Sequence, residues 1–455
     1  MKLSLRNRKP RTFYNRSVYS LYSLLLFLAL VVSLPWWLLQ MWRHGKYRSG
    51  WRERLGRVPE RLLRHPAEET IWIHAVSVGE VQAVTPLIQQ LRQQLPAWRV
   101  VVSTTTDTGQ RLARQRFGED SVFYLPLDLP FAVRPYFVAL RPKLLVLAES
   151  EFWPNLLRWA KLSGAAIAVV NARVSDRSLP GYLRFRRLLH SMLGNIDLFL
   201  AQSEEDASRL IRIGAPAERV QTSGNLKFAV SPPANVEIVR KFAEALRRDA
   251  AWPVIIAGST LEGEEGQLLN TFRVVRNRYP HSVLVLAPRH PERFDAVASM
   301  VSAFGVGYLR RSEWGNTFNL VPQGVFLLDT IGELAALYQF ADLAFVGGSL
   351  VPRGGHNIIE AAQFGVPILV GPHTENFRDI IDAFRRAYAL RIVTADSLCD
   401  TVLQLLAHEN ERNELGRRAL DVMRSQQGAA ARTADALLRL LHSLRIDEVH
   451  AESRV

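Results

Sequence analysis

Beyond residue 70 the chain alternates short, wholly apolar runs with longer stretches in which apolar residues recur every three or four positions. Runs at 71–74, 100–103, 144–147, 167–170 and 198–201, with a weaker one at 220–222, read as strands buried on both faces. The segments between them, among them 80–94, read as helices. The pattern breaks at the polar, proline-containing stretch 231–235 and resumes with runs at 254–257, 283–287, 325–328, 343–346 and 368–370. This alternation is the mark of βαβ units in a parallel sheet, and its interruption predicts two Rossmann-like α/β domains with a linker near residue 230. Ligands of such sheets lie outside the carboxyl ends of the strands, here in a cleft that the two domains would share. The expected divisions are 1–45, 46–230, 231–445 and a tail 446–455, with a last helical stretch at 429–444.

The N-terminus follows a different rule. No charged residue occurs from Ser17 to Trp42, a length that could cross a bilayer core, and Trp36, Trp37 and Trp42 cluster at one end as an interfacial belt would. Basic residues flank it on both sides (Arg6, Arg8, Lys9, Arg11 and Arg16; Arg43, Lys46, Arg48, Arg52 and Arg54), and Pro35 could bend it. The expectation is an N-terminal membrane-anchor helix, with a single crossing and a monotopic attachment both open.

The 455 residues carry a formal charge of +14, which calls for an anionic partner or surface. An apolar N-terminus beside that charge favours an anionic membrane leaflet over nucleic acid. Apolar residues at 48% and charged residues at 22% exclude a disordered chain. The single Cys399 excludes an intramolecular disulfide framework and a Cys-cluster metal site, as fits the cytoplasm.

Chemistry concentrates at the strand ends. After 343–346 comes a glycine-rich loop with Gly347, Gly348, Gly354 and Gly355, whose backbone N–H groups and following helix start suit an anion. Asn357 is placed to cap that helix, with Glu360 at its third position, free either to close a capping box or to accept two ribose hydroxyls. Glu80 opens the helix after 71–74, where a carboxylate serves either the helix dipole or a ligand. Glu149 and Glu151 follow 144–147, and Lys227 follows 220–222. His74, His290, His356 and His373 include no H-x-x-x-H pair, which argues against a metal site.

Together with Glu149-Ser-Glu151-Phe-Trp-Pro-Asn155, Asn171-Ala-Arg-Val-Ser175, Gly224-Asn-Leu-Lys227-Phe, Gly263-Glu-Glu265, Pro288-Arg-His-Pro-Glu-Arg-Phe294 and Gly371-Pro-His373, these segments resemble the bacterial 3-deoxy-D-manno-octulosonic acid (Kdo) transferases of lipopolysaccharide synthesis. The resemblance runs in order from about residue 46 to about residue 440. It implies the glycosyltransferase B architecture, with acceptor on the first domain, donor on the second and the last helical stretch 429–444 packed back on the first domain, a crossover that the sequence itself does not show. It implies inverting transfer of Kdo from CMP-Kdo to a tetraacyldisaccharide bisphosphate, the lipid A precursor, without metal or cofactor, at the cytoplasmic face of the inner membrane. By the same resemblance Glu80 is the proton acceptor and Glu151 and Lys227 stabilise the transition state. Pro288, Arg289, Ile331, Gly332, Glu333, Asn357, Ile358, Ile359 and Glu360 line the CMP site. Arg173, Arg177, Arg184, Arg186 and Arg187 would suit the acceptor phosphates. The family usually carries an acid after Lys227-Phe228, where this chain has Ala229.

Two rivals remain at this level. The glycine loop alone would fit a glycosyltransferase using a uridine diphosphate sugar, although the Glu80 and Glu149–Glu151 segments fit it less well. A basic membrane protein without catalysis would need neither the helix-start Glu80 nor a nucleotide loop.

Overall fold

The computed structural model describes residues 16–44, 50–63, 69–176, 178–228, 236–314 and 324–452. The chain divides into two compact units, residues 1–229 with 428–455, and residues 230–427.

The first unit is built on seven parallel strands: β1 (Thr70–His74), β2 (Arg99–Thr104), β3 (Val122–Tyr124), β4 (Pro142–Ala148), β5 (Ala166–Ala172), β6 (Leu198–Ala201) and β7 (Val220–Thr222), in the order β3-β2-β1-β4-β5-β6-β7. Alternate residues of β1 serve opposite faces. Ile71 and Ile73 join a core with Val84, Leu87 and Leu91 of the helix Val78–Gln94, and Trp72 joins the other core with Phe123, Tyr136 and Phe137. Both faces are therefore covered, as an all-parallel sheet requires.

The second unit repeats the scheme with β8 (Val254–Thr260), β9 (Val283–Pro288), β10 (Tyr308–Arg310), β11 (Val325–Leu327), β12 (Leu343–Val346), β13 (Ile368–Val370) and β14 (Arg391–Ile392), in the order β10-β11-β9-β8-β12-β13-β14. Two parallel-sheet α/β units agree with the pattern of apolar runs. The strands that the pattern left out or marked weakly, β3, β7, β10 and β14, are the four sheet edges. Each is two or three residues long, too short to carry a period of its own.

Two expectations are corrected. The helix Ala429–Glu452 belongs with the first unit, so the domain read as 231–445 stops at residue 427. Its Ala430, Ala434, Leu437 and Leu441 pack in the core of the helix Val78–Gln94, and the Arg432 guanidinium donates to the Ser223 carbonyl at 3.0 Å. Small residues along one face allow this close approach.

The second correction concerns the anchor. A helix does form over Arg16–His44, yet among the described residues no helix is long and apolar enough to cross a membrane. Its first turns are committed to protein. Tyr19 is buried under the Arg158 guanidinium, Tyr22 donates its hydroxyl to Asp128 at 3.0 Å, and the Asn155 amide donates to Ser23 Oγ at 3.0 Å. Asp128 also accepts from the N–H groups of Asn155 and Leu156, at the start of the helix Pro154–Leu162. The outer side keeps Leu21, Leu24, Leu25, Phe27, Leu28 and Val32 exposed. The basic tail, the tryptophan cluster, Arg177 and Ala229 lie outside the described residues or side chains.

Leu437 is fully buried in the first unit's core. Leu437→Ala should cost about 2–4 kcal/mol of that unit's stability. Hydrogen exchange would show the loss in the helix Val78–Gln94 and not in the second sheet; protection lost only from the second sheet would contradict this packing.

Candidate active site

In the first unit the strand order reverses between β1 and β4, so the loops that leave their carboxyl ends diverge. β1 hands over through Ala75 and Val76 to an extended Ser77, and the helix Val78–Gln94 begins. Glu80 sits three residues past this cap and is 8% exposed. Its carboxylate accepts from the Val76 N–H at 2.8 Å and from the Ser77 hydroxyl at 3.2 Å. An N-cap serine ordinarily accepts from the helix; here it donates to a carboxylate. Burial pushes the Glu80 pKa up to about 7, assisted by the charges of Glu149 and Glu151 and opposed by the two hydrogen bonds.

Glu149 follows β4 in the left-handed region, with φ 58°, and its N–H donates to the Val170 carbonyl at 2.9 Å. The Ser150 hydroxyl donates to the Arg173 carbonyl and accepts from the Arg173 N–H at 3.2 Å, which ties this loop to the end of β5. Glu151 is half-buried, and burial and the neighbouring Glu149 raise its pKa. Tyr182 stands within its field.

Lys227 lies in the single turn Leu226–Phe228 that follows β7. The turn is held by two asparagines: Asn171 Oδ1 accepts from the Leu226 N–H at 2.9 Å, and Asn225 Oδ1 from the Lys227 N–H at 2.9 Å. Asn171 is buried at the end of β5 and, like Glu149, left-handed, with φ 53°. The lysine Nζ pairs with Glu149 Oε1 at 2.7 Å, each side chain one-quarter exposed. Glu149, which the sequence left without a role, is thus the lysine's ion-pair partner. Glu80, Glu149, Glu151 and Lys227 form one cluster of three carboxylates and one cation.

In the second unit the reversal falls between β8 and β12. The β12 loop does contain an anion nest, but its first half is filled from within. Glu264 is wholly buried, and its carboxylate accepts from the N–H groups of Leu261, Gly348, Ser349 and Leu350 at 2.8–2.9 Å. Only glycine fits at 347, where a Cβ would lie 2.5 Å from the Ser259 carbonyl oxygen and 2.8 Å from Glu264 Oε2. The second half differs: the N–H groups of His356, Asn357 and Ile358 have no hydrogen-bond acceptor among the described residues.

That open run is faced by charge. Arg289 is exposed just past Pro288, its N–H bonded to the Thr260 carbonyl at 3.0 Å. Its guanidinium lowers the pKa of Glu360, which burial raises more strongly, and helps burial push the His356 pKa down to about 4. Of the two alternatives for Glu360, the capping box does not form, and Asn357 is not the cap. The helix Ile359–Ala362 is capped by Ile358, Asn357 Oδ1 accepts from the Ile359 N–H at 3.1 Å, and Glu360 falls at the second helical position. The Glu360 carboxylate is half-buried with no hydrogen-bond donor among the described residues, so it remains available to a ligand. Ile358 and Ile359 bury their side chains and offer only backbone.

Ile331 is 67% exposed and Gly332 is left-handed with open space beside it. Glu333 is already engaged, by Arg311 at 2.9 Å and by the Thr330 hydroxyl. Pro288 is buried as the last residue of β9. Among the described residues no group of three or more His, Cys, Asp or Glu is placed to hold a metal. His74 is buried with Nδ1 on Ser103, and His290 and His373 are not buried. Arg184, Arg186 and Arg187 are exposed around an exposed Phe185.

Residues 49–230 match the family profile described as 3-Deoxy-D-manno-octulosonic-acid transferase (kdotransferase), and residues 319–422 match Glycosyl transferases group 1. The 3-deoxy-D-manno-octulosonic acid transferase of Haemophilus influenzae is 38% identical over 380 residues, 82% of this chain and 87% of that protein. The C-terminal CMP-Kdo binding domain of WaaA from Acinetobacter baumannii is 33% identical, covers 41% of this chain and 97% of that one, and has a TM-score of 0.39. The fold is shared with UDP-GlcNAc 2-epimerase from Neisseria meningitidis, at 12% identity over 82% of this chain and 100% of that one, with a TM-score of 0.52. On this evidence the chain belongs to the Kdo transferase family, glycosyltransferases of lipopolysaccharide biosynthesis.

Proposed function

We propose that the protein transfers Kdo from CMP-Kdo to a tetraacylated lipid A precursor, with inversion and without metal or cofactor. The observation that carries the reading is Glu80, a buried carboxylate whose pKa of about 7 suits a general base, set beside Glu151 and the Glu149–Lys227 pair. An acceptor hydroxyl gives its proton to Glu80 as its oxygen forms the new bond to the Kdo anomeric carbon. The bond from that carbon to phosphate breaks on the opposite face, and its electron pair leaves with CMP. A β-linked donor therefore yields an α-linked product. Arg289 and the open N–H groups of His356, Asn357 and Ile358 suit the single phosphate, and Glu360 suits the ribose hydroxyls. Glu151 and Lys227 act on the developing charge. The Pro288, Ile331, Gly332, Ile359 and Glu333 backbone completes the nucleotide site.

The acceptor's phosphates and acyl chains suit the exposed Arg184, Arg186, Arg187 and Phe185. The outer apolar face of the helix Arg16–His44 would lie on the anionic cytoplasmic leaflet of the inner membrane instead of crossing it. Incubation with labelled CMP-Kdo and with uridine diphosphate sugars tests the donor; transfer only from the latter would overturn the reading.

Glu80→Gln should retain CMP binding and lose about two to four orders of magnitude in turnover. In the wild type, kcat/KM should rise as pH passes through about 7, where Glu80 loses its proton, and the variant's residual activity should lack that limb. Near-normal turnover in the variant refutes the base.

The same carboxylate has a stability signature. Its folded pKa of about 7 exceeds the ordinary 4.5, so across that window the folded state holds more protons than the unfolded, and stability falls as pH rises. Denaturant midpoints should show Glu80→Gln losing less stability than the wild type between pH 5 and pH 8, on the order of 1–3 kcal/mol. Parallel pH profiles would contradict the perturbed carboxylate.

Glu360→Ala should weaken CMP affinity about tenfold with little change in melting temperature, because no capping box is lost. A lowered melting temperature with unchanged CMP affinity would assign Glu360 to the fold.

A further inference from the structure

The glycine loop after β12 presents two runs of backbone N–H groups, 348–350 and 356–358, and they are neighbours: the Gly355 N–H donates to the Gly348 carbonyl at 2.7 Å. Glu264 occupies the first run. Its Oε2 accepts from Leu261 and Gly348 at 2.9 and 2.8 Å, and its Oε1 from Ser349 and Leu350, each at 2.9 Å. Four N–H groups converging on two oxygens is the environment that backbone nests give a bound anion. The side chain is fully buried, and its hydrogen bonds among the described residues all come from backbone. Arg293, which lies in the field of Glu264, spends its fork on Glu265, at 2.6 and 3.2 Å.

We propose that Glu264 is a positioning residue that also selects the donor by its number of phosphates. Its carboxylate stands as a tethered anion in the half of the loop that a second phosphate would use, which leaves only the 356–358 run for ligand. This rests on the reading of the donor as a nucleoside monophosphate sugar. A free anion can be displaced from a nest; a carboxylate covalently held and enclosed cannot. Its charge also repels a second phosphate arriving at the adjoining run. The same four bonds fix the loop, because Gly348, Ser349 and Leu350 are held to one point and Ser349 in turn accepts from the Gly371 and His373 N–H groups at 2.8 and 3.0 Å. The orientation of the open run at 356–358 thereby depends on a side chain that does not face the ligand.

The test is titration calorimetry of the full-length protein with CMP and with CDP. The wild type should bind CMP at least about tenfold more tightly than CDP, a preference of about 1.4 kcal/mol. Glu264→Ala should bring that ratio close to one. Glu264→Gln, which keeps the volume without the charge, should move it in the same direction. Glu265→Gln is the control: it removes an equally buried carboxylate that serves Arg293 and Thr260, and should lower the melting temperature while leaving the ratio at its wild-type value. Equal affinity for CMP and CDP in the wild type overturns the proposal without any variant, which covers the case in which neither Glu264 variant folds. A folded variant with the wild-type ratio overturns it as well. If the protein instead binds uridine nucleotides, the donor reading falls, and the ratio of UMP to UDP tests Glu264 by the same comparison.

Discussion

Each unit reverses its strand order once, between β1 and β4 and between β8 and β12. Two loops that leave adjacent strand ends in opposite directions open a crevice that a continuously wound sheet would close. Glu80 and the Glu149–Glu151 loop flank the first reversal, and the Glu264 turn and the glycine loop flank the second. The strand ends must bend sharply to make these exits. Glu149 and Ser259, neither of them glycine, take left-handed φ values of 58° and 55° at two of them, and Asn171 takes 53° at the end of the neighbouring β5. Such conformations cost about 1–3 kcal/mol each and persist where surrounding bonds fix them. Here the bonds are visible: Glu149 is held by the Val170 carbonyl and Lys227, and Asn171 by the Leu226 N–H.

The two sites treat charge oppositely. In the first unit Glu80 lies in the field of Glu149 and Glu151, and Lys227 is engaged by Glu149, so Glu80 is left with negative neighbours and few donors. Burial above all, and then these neighbours, raise its pKa, which on the proposed function suits a group that takes a proton near neutral pH. In the second unit the carboxylate Glu264 is turned inward onto backbone N–H groups, while Arg289 stays at the surface of the open run. That arrangement suits a departing phosphate. On the proposed function, proton acceptance and leaving-group stabilisation are thus given to different halves of the chain, each with the field its task requires.

Much of this was legible from residue order because parallel strands buried on both faces carry a continuous apolar signal. The ten central runs were legible for that reason, and the short edges β3, β10 and β14 were not. The helix Ala429–Glu452 shows a helical pattern, but a pattern says nothing about which unit its face will meet. Glu80, Glu151 and Lys227 were placed by motif and do come together. Glu149 could be seen as a neighbour and not as Lys227's partner, since the pair joins residues 78 positions apart across separate strand ends. From sequence the glycine loop looks like one anion site, because glycines report freedom of the backbone, not what already fills it. Glu264 lies in the motif Gly263-Glu-Glu265, which by itself gives it no role. One slipped position, from Asn357 to Ile358 as the cap, removed the capping box and released Glu360. Local caps depend on φ and ψ at single residues, which a periodic pattern does not resolve.

The buried carboxylates of this protein differ in their supply of donors. Glu264 has four N–H groups, and Glu265 has a bidentate arginine and a threonine hydroxyl. Asp128 has two N–H groups and the Tyr22 hydroxyl, and its deep burial still lifts its pKa to about 6. Glu80 has one N–H and one serine hydroxyl, and faces two further carboxylates. Donors added to Glu80 would steady the fold and lower its affinity for a proton at the same time, because both effects come from the same stabilised anion. A site that needs a base near neutral pH therefore cannot also satisfy that base fully. The two bonds Glu80 keeps, both from the residues just before its own helix, are enough to aim the carboxylate and too few to quench it.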